Sequence, residues 1–130
     1  MPISETRRKV RPSVLVADGE DGVREMFVEY LSHSGFNGVG TALAAEAIAA
    51  LTTGSASAVV LDLELAGLDL VEVARLAALG VTPLVLTCRT FERLHHPFVA
   101  VECVLKPCLP STLVAAVMRV LTRVARAGAR

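Results

Sequence analysis

Four polar side chains follow apolar runs that have the length and composition of buried strands. Asp18 ends the run VLVAD, Asp62 lies near the end of AVVLDL, Thr87 ends PLVLT, and Lys106 follows the last such run. Two carboxylates, a hydroxyl and an ammonium suit a divalent cation and a phosphoryl group, because carboxylates bind Mg²⁺ and the ammonium balances phosphate charge. Each residue alone is typical of a helix cap or a turn. The prediction therefore depends on the set of four.

These residues need a scaffold that brings strand ends together, and the chain predicts one. Apolar runs predict strands, and segments with apolar residues at helical spacing follow the first, second, third and fifth of them. The segment after the fourth strand, CRTFERLHHPF, holds only about one helical turn before Pro97. The strands are predicted at 13–18, 36–41, 58–63, 83–87 and 99–105, and the buried stripes at Val23, Phe27, Tyr30 and Leu31 and at Leu113, Val117, Val120, Leu121 and Val124.

Repeated strand and helix units predict an α/β fold. Right-handed crossovers favour a doubly wound, five-stranded parallel sheet, with ligands at the carboxyl ends of the strands. We expect a shortened or degenerate fourth helix. The predicted organisation is a basic N-terminal tail at 1–12, one domain at 13–126 and a C-terminal tail at 127–130.

Composition agrees with one soluble domain. The chain has 130 residues, 53% of them hydrophobic and 4% aromatic, so the core must consist mainly of Leu, Val and Ala. No apolar run reaches about 18 residues, and the first residues lack the apolar stretch of a secretory signal. We therefore expect a cytoplasmic protein that does not engage a membrane.

Charge is distributed unevenly along the chain. Residues 12–118 hold five basic and twelve acidic side chains, a formal charge of −7, while arginines and a lysine cluster at both ends. A body of that charge is not expected to bind nucleic acid. Four arginines share one side of the last helix, which is typical of a solvated face and is also compatible with an acidic partner or a linker: Arg119, Arg123, Arg126 and Arg130.

The motifs VLVAD, VVLDLELAGLD, LVLT and VLKP resemble those of the receiver domain of two-component response regulators, over residues 13–126. The resemblance implies a flavodoxin-like (βα)5 receiver fold in which Asp62 accepts a phosphoryl group. It places Mg²⁺ on Asp18, Asp62 and the backbone carbonyl of Glu64. Thr87 would supply the hydroxyl that moves toward the phosphoryl group, and Lys106 its counter-ion.

The resemblance also implies an activity and partners. A histidine kinase or a phosphotransfer protein would donate the phosphoryl group, and the domain would catalyse at most its own Mg²⁺-dependent phosphorylation and slow dephosphorylation. As a stand-alone response regulator it would signal by contact with a downstream protein target, and it would be able to form a homodimer.

Three departures from the family pattern support an alternative, a pseudo-receiver that works without phosphorylation. Gly19 stands where receivers carry a second acid, which should weaken Mg²⁺ binding unless Glu20 or Asp21 replaces it. Cys103 stands where an aromatic residue is common, and the fourth helix is short. A flavodoxin-like enzyme or nucleotide binder would need a glycine-rich phosphate loop after the first strand, and DGEDG is not one.

Overall fold

The structure, a computed structural model, describes residues 10–90 and 101–128. Strands and helices alternate in these residues, and the first four strands begin within one residue of their predicted starts. The elements are β1 (Ser13–Ala17), α1 (Asp21–His33), β2 (Asn37–Thr41), α2 (Ala44–Thr53), β3 (Ala58–Asp62), α3 (Leu70–Leu79), β4 (Leu84–Cys88), β5 (Glu102–Leu105) and α4 (Pro110–Gly128).

The five strands form one parallel sheet in the order β2-β1-β3-β4-β5. This confirms the predicted doubly wound arrangement. The chain moves outward in one direction from β1 to β2 and in the other from β3 to β5, so the order reverses between β1 and β3. Ligand sites of open α/β sheets lie at the carboxyl ends beside such a reversal.

Each face of the sheet carries its own apolar core. Helices α1 and α4 cover one face, where Phe27 and Leu113 belong to the same apolar cluster as Val60 of the sheet. Helices α2 and α3 cover the other, where Leu51 and Val73 belong to the cluster that surrounds the opposite side of the sheet. Because both faces are covered, every residue of β3 and β4 is buried, which explains why these runs do not alternate with polar residues.

Strand β2 is rich in glycine because α1 lies very close to it. A Cβ atom placed on Gly38 would lie 2.8 Å from the backbone oxygen of Val28, and one on Gly40 would lie 3.0 Å from the Arg24 side chain. Backbone oxygen cannot move aside as a flexible side chain can. The weak strand signal at this position therefore reflects the packing of the helix.

Glycines also end two helices. Gly54 after α2 and Gly80 after α3 have φ angles of 69° and 67°, a left-handed conformation that glycine adopts without steric cost. Their N–H groups donate to the carbonyls of Ala50 and Leu76. At its other end α3 is capped by Asp69, whose side chain accepts from two backbone N–H groups.

Two members of the predicted buried stripes are wrong. Val124 is 53% exposed and Tyr30 is 48% exposed. Val124 lines an open cavity beside β4, and neither residue belongs to the two apolar clusters of the described residues. The predicted degenerate fourth helix and the first part of the predicted fifth strand fall on residues 91–100, outside the described residues. No helix in the described ranges is long and apolar enough to cross a membrane.

Candidate functional site

The four polar residues singled out in the sequence meet at the carboxyl edge of the sheet. Asp18 directly follows β1, Asp62 ends β3, Thr87 lies in β4 in register with Asp62, and Lys106 directly follows β5. Asp18, Asp62 and Thr87 are at most 5% exposed, and the Lys106 side chain is 6% exposed. We call these four residues the floor of the site.

The Lys106 ammonium joins the two carboxylates of the floor. Its Nζ lies 2.7 Å from Oδ2 of Asp18 and 3.4 Å from Oδ2 of Asp62. Burial alone would lower the pKa of Lys106, but the hydrogen bond to Asp18 and the charges of both carboxylates outweigh it and leave that pKa raised. The lysine is therefore charged, and the floor carries two negative charges against one positive charge.

The two aspartates are held in the same way. Oδ1 of Asp18 accepts from the backbone N–H of Glu20 at 2.9 Å, and Oδ1 of Asp62 accepts from the backbone N–H of Glu64 at 2.9 Å. Each carboxylate thus uses one oxygen to fix the turn after its strand. The other oxygen of each is directed toward Lys106.

The hydroxyl of Thr87 is buried and has no hydrogen-bond partner. In residues 10–90 and 101–128 no other buried side-chain nitrogen or oxygen atom is in that condition. An unsatisfied buried hydroxyl costs about 1–3 kcal/mol. Because Thr87 and Asp62 are neighbours in register on parallel strands, their side chains project on the same side of the sheet. The Thr87 hydroxyl therefore projects on the same side of the sheet as Asp62 and donates to no acceptor.

Three charged side chains surround the entrance and form what we call the mouth of the site: Glu20, Glu64 and Arg89. The Arg89 guanidinium hydrogen-bonds to the Glu20 carboxylate and lies 3.9 Å from that of Glu64. The backbone N–H of Arg89 donates to Glu64 at 3.1 Å. The hydrogen bond to Glu20 and the neighbouring carboxylates raise the pKa of Arg89. Sequence analysis missed Arg89, although its place two residues after Thr87 is a usable signal.

Gly19 leaves room where a second acid would stand. Beyond the adjoining residues, the nearest atom to a Cβ placed there would be Cδ1 of Leu65 at 3.7 Å, an ordinary contact distance. Of the two acids considered as replacements, Glu20 turns toward the floor and lies 3.9 Å from Nζ of Lys106. Asp21 instead pairs with Arg24, and its side chain is 82% exposed.

The donors of the floor suit a hard cation in kind, since carboxylate and carbonyl oxygens are the ligands that Mg²⁺ prefers. The excess negative charge of the floor favours a further cation. No group of three or more His, Cys, Asp or Glu side chains in the described part of the chain is arranged to hold a metal ion. A cation there would depend on Asp18, Asp62 and the Glu64 carbonyl, or on a movement of Glu20.

Comparison with known proteins rests on structure, because no protein-family model and no curated protein matches the sequence. A response regulator receiver protein from Sinorhizobium medicae is 26% identical, with a TM-score of 0.70 over 86% of this chain and 95% of that chain. The signal receiver domain of a putative Luxo repressor protein from Vibrio parahaemolyticus is 16% identical, with a TM-score of 0.75 over 88% and 92%. A CheY-like receiver domain from Methylobacillus flagellatus is 21% identical, with a TM-score of 0.71 over 85% and 99%. This chain has the response regulator receiver fold.

The receiver fold gives the remaining sequence features their places. Cys103, where an aromatic residue was expected, is partly buried in β5 beside the α2 and α3 core. Burial raises the pKa of its thiol, and the nearby Cys88 and Glu102 raise it further. A thiol with a raised pKa holds less of the reactive thiolate form at neutral pH, so burial makes this cysteine less reactive.

The arginine face of the last helix of the receiver fold is partly tied to the domain itself. Arg119 donates to Glu102 through Nε and Nη2, and Arg123 hydrogen-bonds to the other oxygen of the same carboxylate. The hydrogen bond from Arg119 is the main reason why the pKa of Glu102 is lowered. Two of the four arginines therefore join α4 to β5.

Proposed function

We propose that this chain is a phosphoryl-accepting receiver of a two-component phosphorelay, with Asp62 as the acceptor. The observation that supports this best is the buried Thr87 hydroxyl, which lacks an acceptor and lies next to the Asp62 carboxylate. A phosphoryl group on Asp62 would bring oxygen atoms that accept from this hydroxyl. The energetic cost of the unsatisfied group would then be recovered in the phosphorylated state.

In the proposed reaction a phosphoryl group passes from a histidine nitrogen of the donor protein to a carboxylate oxygen of Asp62. A carboxylate oxygen of Asp62 attacks the phosphorus of a phosphohistidine, the P–N bond breaks, and the imidazole leaves and takes up a proton. The product is an acyl phosphate on Asp62. Lys106 balances the charge of the phosphoryl oxygens, and Thr87 donates a hydrogen bond to one of them. Water later attacks the phosphorus, the P–O bond to Asp62 breaks, inorganic phosphate leaves, and the Asp62 carboxylate is restored.

Divalent metal enters the proposal as a cofactor. Asp18, Asp62 and the backbone carbonyl of Glu64 would hold Mg²⁺, which, when bound, offsets negative charge on the transferred oxygens. The chain's own contribution is to fix both carboxylates through backbone N–H groups and to hold the Lys106 ammonium between them. Gly19 is expected to make the affinity lower than a second aspartate would.

The proposed partners follow from this chemistry. A histidine kinase or a phosphotransfer protein supplies phosphohistidine in the cytoplasm, where ATP is available. The chain then signals by contact with a downstream protein, and a homodimer is part of the proposal.

A cavity of about 300 Å³ opens beside the floor between α1 and the turn after β5, lined by Met26, Phe27 and Cys108 among others.

A pseudo-receiver is the second candidate, and one observation favours it. Lys106 already lies 2.7 Å from Asp18, so the unphosphorylated floor has an internal cation in place. Together with Gly19, this would stabilise a site that needs neither metal nor phosphate. In that case the chain would work as an interaction module through its surface alone.

Phosphorylation with a small donor distinguishes the two candidates. The purified chain is incubated with Mg²⁺ and acetyl phosphate and its intact mass is measured, with Asp62→Asn as the test variant and Asp21→Asn as the matched control. A receiver gains the mass of one phosphate in the wild type and the control and none in Asp62→Asn. If the wild type gains no mass, and its NMR spectrum does not change with beryllofluoride, the pseudo-receiver is correct.

A further inference from the structure

Three carboxylates, not two, converge on the Lys106 ammonium. Nζ lies 2.7 Å from Asp18, 3.4 Å from Asp62 and 3.9 Å from Glu20. The third of these belongs to the residue immediately after Gly19. The position of the Lys106 ammonium is therefore within 4 Å of three acids: Asp18 and Asp62, which belong to the family motif, and Glu20, which does not.

The Glu20 side chain does not make the hydrogen bond that a residue at the start of a helix often makes. It is the N-cap residue of α1, yet its side chain makes no capping hydrogen bond. An acid placed only to complement the helix dipole would lie near the first turn. The Glu20 carboxylate instead turns across the site, toward Arg89 and Lys106.

Arg89 holds Glu20 in this position. Its guanidinium hydrogen-bonds to Glu20 and lies 3.9 Å from Glu64, so one exposed cation interacts with both acids of the mouth. A divalent cation and a guanidinium compete for the same carboxylate oxygens. Since the pair is more than 45% exposed on both sides, it is screened by solvent and can be exchanged.

We propose that Glu20 is the acid that completes the divalent-cation site in place of the missing side chain at position 19. The acids of the described residues are not arranged to hold a metal ion as they stand, so the cation must displace Arg89, the internal counter-ion, and Glu20 must move toward Asp18 and Asp62. The inference rests on the proposed function. The buried hydroxyl of Thr87, which has no partner, is a second sign that this edge of the sheet accommodates a ligand.

Removing the charge of Glu20 and removing the charge of Arg89 should change the affinity for Mg²⁺ in opposite directions. Glu20→Gln removes a ligand and should weaken Mg²⁺ binding roughly tenfold. Arg89→Gln removes the competitor and should tighten Mg²⁺ binding about threefold, the size expected for loss of one exposed ion pair. A role limited to helix stability or to general surface charge would give no such opposition.

The chain offers matched controls for both variants. Asp21→Asn removes an acid one position along, which pairs with Arg24 and does not face the floor. Arg75→Gln removes an arginine of almost the same exposure as Arg89, 55% against 56%, from a pair on α3. Both controls should leave the affinity for Mg²⁺ unchanged.

A rescue variant tests the replacement itself. Gly19→Asp restores an acid where the structure has room for one. In the double variant Gly19→Asp with Glu20→Gln, Mg²⁺ affinity should return to the wild-type level or exceed it. If the second acid at position 19 gives no recovery, Glu20 does not act in its place.

The experiment is calorimetric titration of the full chain with MgCl₂, with Mn²⁺ line broadening in NMR as a second readout. Equal affinity in wild type and Glu20→Gln, weaker binding in Arg89→Gln, or no binding in either wild type or Arg89→Gln would overturn the proposal. Labelling of Asp62 by acetyl phosphate is measured on the same samples. Labelling without a Glu20 effect refutes this inference alone, whereas the expected affinities without labelling refute the proposed function alone.

Discussion

The floor and the mouth of the site carry charges of both signs within a few ångströms of each other, but they differ in burial. Side chains of the floor are at most 6% exposed, while those of the mouth are 34–56% exposed. Buried charges are expensive to separate, and exposed pairs are screened and exchange readily. The charges of the floor are therefore held in place, whereas the ion pairs of the mouth can exchange partners.

The largest expected effect comes from removing the cation of the floor. Lys106→Met leaves the carboxylates of Asp18 and Asp62 together without a counter-charge, which should lower the free energy of unfolding by about 3 kcal/mol. Urea denaturation at neutral pH measures it. A variant as stable as the wild type would show that the ammonium does not stabilise the floor.

Removing the unsatisfied hydroxyl should have the opposite sign. Thr87→Val keeps the shape of the side chain and is expected to raise the free energy of unfolding by about 1 kcal/mol while impairing any response to beryllofluoride. Thr82→Val is the matched control, since Thr82 is also buried but its hydroxyl bonds the carbonyls of Ala50 and Leu51. That control should lose about 1 kcal/mol. Equal effects in both would mean that the Thr87 hydroxyl has a partner in solution.

At alkaline pH the floor should lose stability while the charge of Arg89 in the mouth does not change. The pKa of Lys106 is raised above its ordinary value of 10.5. Its contribution to stability is therefore fully present below pH 10.5 and is lost as pH rises through the folded-state pKa. Arg89, with a pKa raised from an already high value, stays charged. Thermal melting of wild type should show a decline above pH 10.5 that Lys106→Met lacks, and Arg89→Gln should keep that decline.

The smallest effect on stability is expected at the mouth. Glu20→Gln and Arg89→Gln should leave the urea midpoint at the wild-type value in moderate salt, because exposed ion pairs contribute little. Repeating the urea denaturation at low salt, where these ion pairs are less screened, tests whether they contribute any stability at all. A large loss of stability in either variant would place the mouth with the floor as a structural cluster.

The floor could be predicted from the sequence because each of its residues lies at the end of a mainly apolar run of strand length, or directly after one. Such runs become buried parallel strands, and the sheet brings their ends together whatever the loops do. All four predicted side chains lie at this edge, although their roles in phosphoryl transfer stay predictions. Their mutual distances depend on the strand order, and that came from the fold.

The mouth could not be predicted in the same way. Glu20 and Asp21 are adjacent acids at a helix start, and only the direction of the chain after β1 decides which one faces the site. Arg89 directly follows β4, so its position two residues after Thr87 indicates the correct edge of the sheet, but no periodicity beyond the strand predicts which carboxylates its side chain contacts. The errors at Tyr30 and Val124 have a related cause, since a helical stripe shows which residues share a face but not how far the core beneath it extends.

The backbone links beside the floor have a mechanical consequence. The N–H of Leu63 donates to the carbonyl of Thr87, and the N–H of Lys106 donates to the carbonyl of Cys88. Strand β4 is thus fastened at its end to the residue after Asp62 on one side and to Lys106 on the other. A backbone displacement at the end of β4 would therefore stretch these hydrogen bonds or carry the ends of β3 and β5 with it, which couples three adjacent strand ends mechanically.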